Sequence, residues 1–260
     1  MIILKKSFTQ EKYIMEEKSC ELLGVGIAVG KREELLLRCR ELLESGGAIA
    51  TVNPEMLAEA AENLKLRAAL KSSLCIPDGV GVRLALKARG IETDTLPGVE
   101  LGEELLDMKP QRLGLIGAKA GVAEAALRYL CEKHPMTIGV FAHSGYGKRD
   151  GEYREIIGRY LPDTVFVCLG SPRQELFIKE MREHFGGVLF IGLGGSLDVY
   201  SGRKRRAPRL ARKMGLEWAW RMLSEPKRLK RLPNLLKFLS LLFKERKKSG
   251  KIGKKGRYSL

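Results

Sequence analysis

Five short stretches carry groups able to do chemistry: "TVN" (51–53), "PDG" (77–79), "HSGYGKRDGE" (143–152), "GSPRQE" (170–175) and "GLGGSLD" (192–198). Each lies at the end of a short apolar run. Thr51 offers a hydroxyl, Asn53 and Gln174 offer amides and Asp78 a carboxylate, while glycines such as Gly145 and Gly194 let backbone N–H groups approach a diphosphate. Each turn also has a purely structural explanation. Asn53 before Pro54 fits an N-cap followed by proline at N1, Ser171 to Gln174 fits an S-x-x-Q capping box, and Asp78 fits a cap for a helix beginning near Val80. Their convergence points to function. If the strands are parallel, Thr51, Asn53, Asp78 and Gln174 emerge at one rim together with both glycine loops, where the ligands of parallel sheets bind.

Other catalytic chemistries lack their residues. His134, His143 and His184 are far apart with no metal-binding spacing and read as surface or packing residues. There is no G-x-S-x-G and no P-loop. "GLGG" and "GAKAG" (117–121) fall short of a full dinucleotide fingerprint, which leaves a nicotinamide-dependent oxidoreductase resting on fold analogy alone. A D-x-D pair for a divalent metal is also absent, "ETD" (92–94) being the nearest approach. A metal-free diphosphate site needs cationic side chains instead, and these are concentrated in the tail.

The elements that must position these groups alternate from about residue 20 to 200. "GAIATV", "SLCIP", "RLGLIGA", "MTIGVFA", "TVFVCLG" and "GVLFIGLG" are apolar runs, separated by helical patterns such as "PEMLAEAAENLKLRAAL" and "PRQELFIKEMREHF". The pattern predicts an α/β fold, a Rossmann-like and largely parallel sheet covered by helices on both faces. Residues 1–202 read as the catalytic domain, with residues 1–20 a leader, and 203–260 as a basic, amphipathic helical appendage. In the appendage three short helices and a frayed end are expected. In the last of them Leu232, Leu235, Leu236, Leu239, Leu242 and Phe243 form one apolar stripe, with Lys237 and Lys244 pointing away from it.

The formal charge of +16 is unevenly placed. Residues 203–260 hold 21 Lys and Arg against 3 acidic residues, leaving 26 against 28 before them. A nucleic-acid-binding module would use such a tail to neutralise phosphates. Interleaved with leucines and two tryptophans, however, the charge fits an anionic membrane surface better, so no nucleic-acid partner is expected. Five scattered cysteines without a C-x-x-C pair suggest a reducing compartment. Neither a signal peptide nor a run of about 18 apolar residues is present.

Taken in order, "TVNPEML", "IPDGVGV", "LPGVEL", "GAKAGVAEAA", "VCLGSPRQELFI", "IGLGGSLDVYSGRKRRAP" and "GLEWAWRMLSEPKRLKR" resemble the WecG/TagA/CpsF family of bacterial glycosyltransferases, glycosyltransferase family 26. The resemblance is greatest to the N-acetylmannosaminyltransferases of wall teichoic acid synthesis. It implies transfer of N-acetylmannosamine from its UDP donor to the 4-hydroxyl of polyprenyl-diphosphate-linked N-acetylglucosamine. That reaction forms a β-1,4 linkage with inversion, without a metal or other cofactor, peripherally on the cytoplasmic face of the plasma membrane. Donors carrying N-acetylmannosaminuronic acid or glucose suit the same scaffold, and self-association is left open. Thr51 and Asn53 carry over as donor-site residues, Asp78 as the candidate general base and Gln174 as a contact to the sugar or its diphosphate. Arg83, Gly145, Tyr146, Gly194 and Asp198 carry over as donor-site companions, and Arg221, Arg228 and Arg231 as the arginines that meet the diphosphate. One departure is "GYGKRD", where the family usually has an aromatic after "GY"; another is the run of lysines beyond the usual ending.

Overall fold

The computed structural model describes residues 18–147, 149–208, 211, 217, 220 and 232–255. An antiparallel hairpin of β1 (Ser19–Leu22) and β2 (Val25–Ala28) turns at Leu23 and Gly24, both at positive φ. Then follow α1 (Arg32–Ser45), β3 (Gly47–Val52), α2 (Pro54–Ala60), α3 (Leu64–Lys71), β4 (Leu74–Pro77), α4 (Val80–Lys87), α5 (Gly98–Met108) and β5 (Gln111–Gly117). After them come α6 (Val122–Lys133), β6 (Thr137–His143), α7 (Asp150–Tyr160), β7 (Thr164–Cys168), α8 (Arg173–His184), β8 (Leu189–Gly192), α9 (Ser196–Tyr200) and α10 (Leu232–Lys255).

Strands β3 to β8 make one sheet in the order β4-β3-β8-β7-β5-β6, with every neighbouring pair parallel. The predicted α/β, Rossmann-like class is therefore the observed one. β3, β7 and β8 are buried along their whole length, which explains their unbroken apolar sequences. β6 lies at an edge, where Ile138 is exposed.

Alternation along β3 sends Ala48, Ala50 and Val52 to one face of the sheet and Ile49 to the other. On the first face α2, α3 and α4 pack around Leu57, Leu66 and Val82, while α7 and α8 pack around Tyr153, Ile157 and Phe177. On the second, α1, α5, α6 and α9 enclose Leu35, Leu105, Leu130 and Leu197. The chain thus leaves β3 towards one face and the adjacent β8 towards the other. This opens a crevice beyond their carboxyl ends, the usual ligand position in open α/β sheets.

Three local expectations are corrected. The helix read across 54–70 is two helices, because Asn63 breaks it and caps the second with a hydrogen bond from Leu66 N–H (3.1 Å). The last helix runs to Lys255, into the end expected to fray. Its buried side centres on Phe238, 1% exposed among Leu22, Val82 and Leu86, with Leu241 and Leu242 packed alongside. Leu232, Leu236, Leu239 and Phe243 stay exposed as one stripe, and Lys237 turns back to Glu62 at 2.6 Å. Residues 1–17, 256–260 and, apart from isolated helical positions, 209–231 lie outside the described residues. Among the described residues no helix is long and apolar enough to cross a membrane.

Candidate active site

Because all six strands run the same way, every turn singled out from the sequence opens at one rim. β4 and β3 supply the first corner. The register pairs Val52 with Pro77, and the Asp78 N–H continues it by donating to the Val52 carbonyl at 2.8 Å. This fixes half-buried Asp78 beside the turn after β3. Asn53 caps α2 there as expected, its Oδ1 accepting from Met56 N–H at 3.0 Å with Pro54 at the first helical position. The expected cap at Asp78 is displaced, since the N-cap of α4 is Gly79, at φ 81°. Gly81 then brings the two turns into contact: a Cβ there would sit 2.5 Å from Pro54 Cγ.

β8 and β7 supply the centre. Thr51, 6% exposed, donates its hydroxyl hydrogen to the Gly192 carbonyl at 2.9 Å, tying β3 to the end of β8. Gln174 is 2% exposed, and its Oε1 accepts from Gly194 N–H at 3.0 Å while its Nε2 donates to Glu175 at 2.8 Å. The S-x-x-Q box is not formed. α8 begins at Arg173 with Pro172 as N-cap, so the Gln174 amide turns under the glycine loop and the Ser171 hydroxyl bonds to Glu175. On the second face of the sheet Gly98, at the start of α5, packs against Leu193 and Ser196, joining "LPG" to "GLGG".

β5 and β6 supply the far side. Gly145 leans back over β5 and β7, with a would-be Cβ 2.7 Å from Leu169 Cδ2 and 3.2 Å from Gly117 Cα. Arg173 Nη1 donates to the Gly145 carbonyl at 2.8 Å, and the Tyr153 hydroxyl to the Ser144 carbonyl at 2.6 Å. Burial pushes the Tyr153 phenol up, although the Arg173 charge opposes it. On this fixed loop Tyr146 stands 67% exposed.

The segment that leads into the basic tail is clamped to the same region. Arg206 pairs with Glu100 of α5, which also faces Arg32 at 3.1 Å, and Lys204 pairs with Asp198 at 3.2 Å. Burial opposes ionisation of Glu100, but Arg206 and Arg32 outweigh it and hold the carboxyl below its usual range. Among the described residues no three His, Cys, Asp or Glu side chains cluster as metal ligands. The histidines are dispersed: His134 is buried against Asp107 at 2.5 Å, His143 stacks on Phe141, and His184 meets Arg154 at 2.9 Å.

Comparison with known proteins matches residues 20–252 to the glycosyl transferase WecG/TagA/CpsF family. The chain belongs to this family. It is a glycosyltransferase. It is 35% identical over 212 residues to the N-acetylglucosaminyldiphosphoundecaprenol N-acetyl-beta-D-mannosaminyltransferase of Bacillus spizizenii, covering 79% of this chain and 82% of that one. A protein of the same name from Bacillus subtilis is 35% identical over 208 residues (78% and 81%), and one from Staphylococcus aureus is 33% identical over 208 residues (77% and 81%).

The WecG/TagA/CpsF motifs thus fall along one rim. Thr51 stands on β3 with Asn53 just after it, Asp78 follows β4, Gly194 and Asp198 follow β8, Gln174 follows β7, and Gly145 and Tyr146 follow β6. Arg83 is exposed on α4, five residues past Asp78. Arg221, Arg228 and Arg231 lie outside the described residues. Sequence reasoning missed Glu175, Arg173 and the Glu100–Arg206 clamp. A signal for the first was present, because Gln174, Phe177, Ile178 and Met181 recur at i, i+3, i+4 and i+7. This spacing puts a polar amide on the buried face of α8, where only a polar neighbour can satisfy it.

Proposed function

We propose that this glycosyltransferase moves N-acetylmannosamine from UDP-N-acetylmannosamine to the 4-hydroxyl of N-acetylglucosaminyl-diphospho-undecaprenol, with inversion and without a metal, in teichoic acid or related cell-surface polysaccharide synthesis. The observation that carries the reading is the corner where the Asp78 N–H bonds to Val52 and Gly81 abuts Pro54. It sets one carboxylate beside the turn bearing Asn53 at the mouth of the β3–β8 crevice. The relatives' names supply the donor sugar and the lipid-linked acceptor.

In the reaction Asp78 takes the proton of the acceptor 4-hydroxyl as its oxygen bonds to the anomeric carbon, and the bond to UDP breaks with the electron pair leaving on the diphosphate. Gln174 takes up the Gly194 N–H from beneath and so holds the loop after β8 in shape beside the donor. Thr51 ties β3 to the end of β8, where that loop begins. Guanidiniums, those of Arg221, Arg228 and Arg231 with Arg83 nearby, take up the charge that a divalent cation would otherwise neutralise. Tyr146 and Gly145 border the nucleotide end of the donor. The acceptor's lipid keeps the enzyme at the inner face of the plasma membrane, and the exposed stripe Leu232, Leu236, Leu239 and Phe243 supports direct contact with lipid.

The test is Asp78→Asn in a UDP-release assay run with a panel of donors and acceptors, with and without chelator. Transfer should fall by about 1000-fold or more, with UDP affinity within a few-fold of wild type. Near-wild-type turnover would remove Asp78 as the base. Preference for the uronic acid or glucose donor would reassign the sugar, and loss of activity in chelator would reinstate a metal.

A further inference from the structure

Glu175 is the rim residue that the proposed reaction leaves unused. It follows Gln174 in the first turn of α8 and is only 3% exposed. One carboxyl oxygen accepts from Gln174 Nε2, and the Ser171 hydroxyl also bonds to this carboxyl. Oε2 is buried with no hydrogen-bond partner among the described residues. Burial pushes the carboxyl above its usual range, Glu59 on α2 adds to this, and the bonds from Ser171 and Gln174 oppose it. An acid so placed weakens a fold, because an apolar side chain of similar shape would escape the desolvation penalty. Its bonds nevertheless go to Ser171 in the turn after β7 and to Gln174 in the first turn of α8.

The Gln174 amide has two orientations related by a half-turn. Gly194 N–H needs the oxygen, which leaves the NH₂ group facing Glu175. Turned over, the NH₂ would meet the Gly194 N–H, donor against donor. The amide also fills the space under the end of β8, where a Cβ at Gly192 would lie 2.5 Å from Gln174 Nε2. Glu175 is the acceptor that selects one orientation.

We propose that Glu175 is a positioning residue that fixes the Gln174 amide, and through it Gly194, so that the loop after β8 is shaped for the donor. The proposal rests on that loop belonging to the donor pocket. The experiment compares full-length wild type with Glu175→Leu, which fills the space without an acceptor, Glu175→Gln, which restores one, Gln174→Ala and the double variant Gln174→Ala/Glu175→Leu. Glu175→Leu should raise the donor KM about tenfold with the acceptor KM within about twofold, and Glu175→Gln should restore both to within about twofold. The double variant should be no worse than Gln174→Ala, since Glu175 acts through that amide. A structural defect alone would lower kcat through the active fraction and leave both KM values in place. Glu175→Asp, which draws the carboxylate back by one methylene, replaces the leucine variant if that one does not fold. The proposal is overturned by a donor KM that rises in Gln174→Ala but not in Glu175→Leu, by additive losses in the double variant, or by Glu175→Gln as impaired as Glu175→Leu. An unchanged donor KM in both Gln174→Ala and Glu175→Leu would remove the donor-pocket reading of the loop, and this proposal with it.

Discussion

Gly81→Ala tests the corner on which the proposed reaction geometry depends. In most helices this exchange stabilises by up to about 1 kcal/mol, because alanine loses less backbone entropy on folding. Here the added methyl would stand 2.5 Å from Pro54 Cγ, whereas carbon–carbon contacts settle near about 3.5–4.0 Å, so the turns after β3 and β4 must separate by about 1 Å. Pro54 cannot yield by changing rotamer. Its ring can only repucker, and its fixed φ holds it at the first position of α2, behind the Asn53 cap. Overpacking of this kind costs about 1–3 kcal/mol. The net loss should be about 1–2 kcal/mol, or roughly 2–8 °C in Tm for a chain of this size. Activity should suffer more, because a shift of about 1 Å between reacting groups lowers turnover about 100-fold. Gly158→Ala is the control: in α7 the nearest atom to its methyl is Phe185 Cε1 at 3.8 Å, so it should gain about 0.5–1 kcal/mol and keep full activity. Differential scanning fluorimetry beside the UDP-release assay reads both quantities. A Gly81→Ala enzyme as stable and active as Gly158→Ala would refute the claim that this contact sets Asp78 against the β3 turn.

The two sides of α10 should separate cleanly. Phe238→Ala removes a ring that is 1% exposed and should cost about 3–5 kcal/mol, whereas Leu236, Leu239 and Phe243 changed together to serine should leave Tm within about 2 °C and lower flotation with anionic vesicles several-fold. Unchanged flotation, or RNA binding at matched salt without vesicle binding, would refute the membrane role. The Glu100 clamp should respond to acid. Its carboxyl is held below the usual range in the fold, so the stabilisation is present at neutral pH and is lost as pH falls from about 4.5 through the folded value. Glu100→Gln should cost about 1 kcal/mol at pH 7 and flatten that acid limb in thermal melts; an unaltered limb would mean that the pairs with Arg206 and Arg32 contribute nothing.

Much of the fold was legible because the central strands are covered on both faces and therefore read as unbroken apolar runs; all six apolar runs, the partly exposed edge strand β6 included, became strands. Their order was not legible, since it depends on which face each crossover takes, and no single segment records that. The β1–β2 hairpin escaped because its strands have four residues each and turn at Leu23 and Gly24 rather than at an Asn-Gly pair. At the site, Asn53 as cap could be read locally, because a cap needs only the next three residues. The roles of Thr51 and Gln174 could not. Their partners, Gly192 and Gly194, lie 141 and 20 residues away and become neighbours only through the β3–β8 and β7–β8 pairings.

The same pairings bear on how the charge division in the chain is used. The body before residue 203 is nearly neutral and the remainder strongly basic, yet the two are not simply joined end to end. Lys204 and Arg206 pair with Asp198 and Glu100 beside the rim, and Lys237 pairs with Glu62 in the turn after α2. The stretch carrying Arg221, Arg228 and Arg231 is therefore flanked by two anchored points, one next to the loop after β8 and one on the outer face of the β3–β4 side. Under the role proposed for those arginines, Glu62→Gln and Glu100→Gln, which break the pairs with Lys237 and Arg206, should each lower turnover in the UDP-release assay; unchanged turnover in both would show that these pairs do not serve the site.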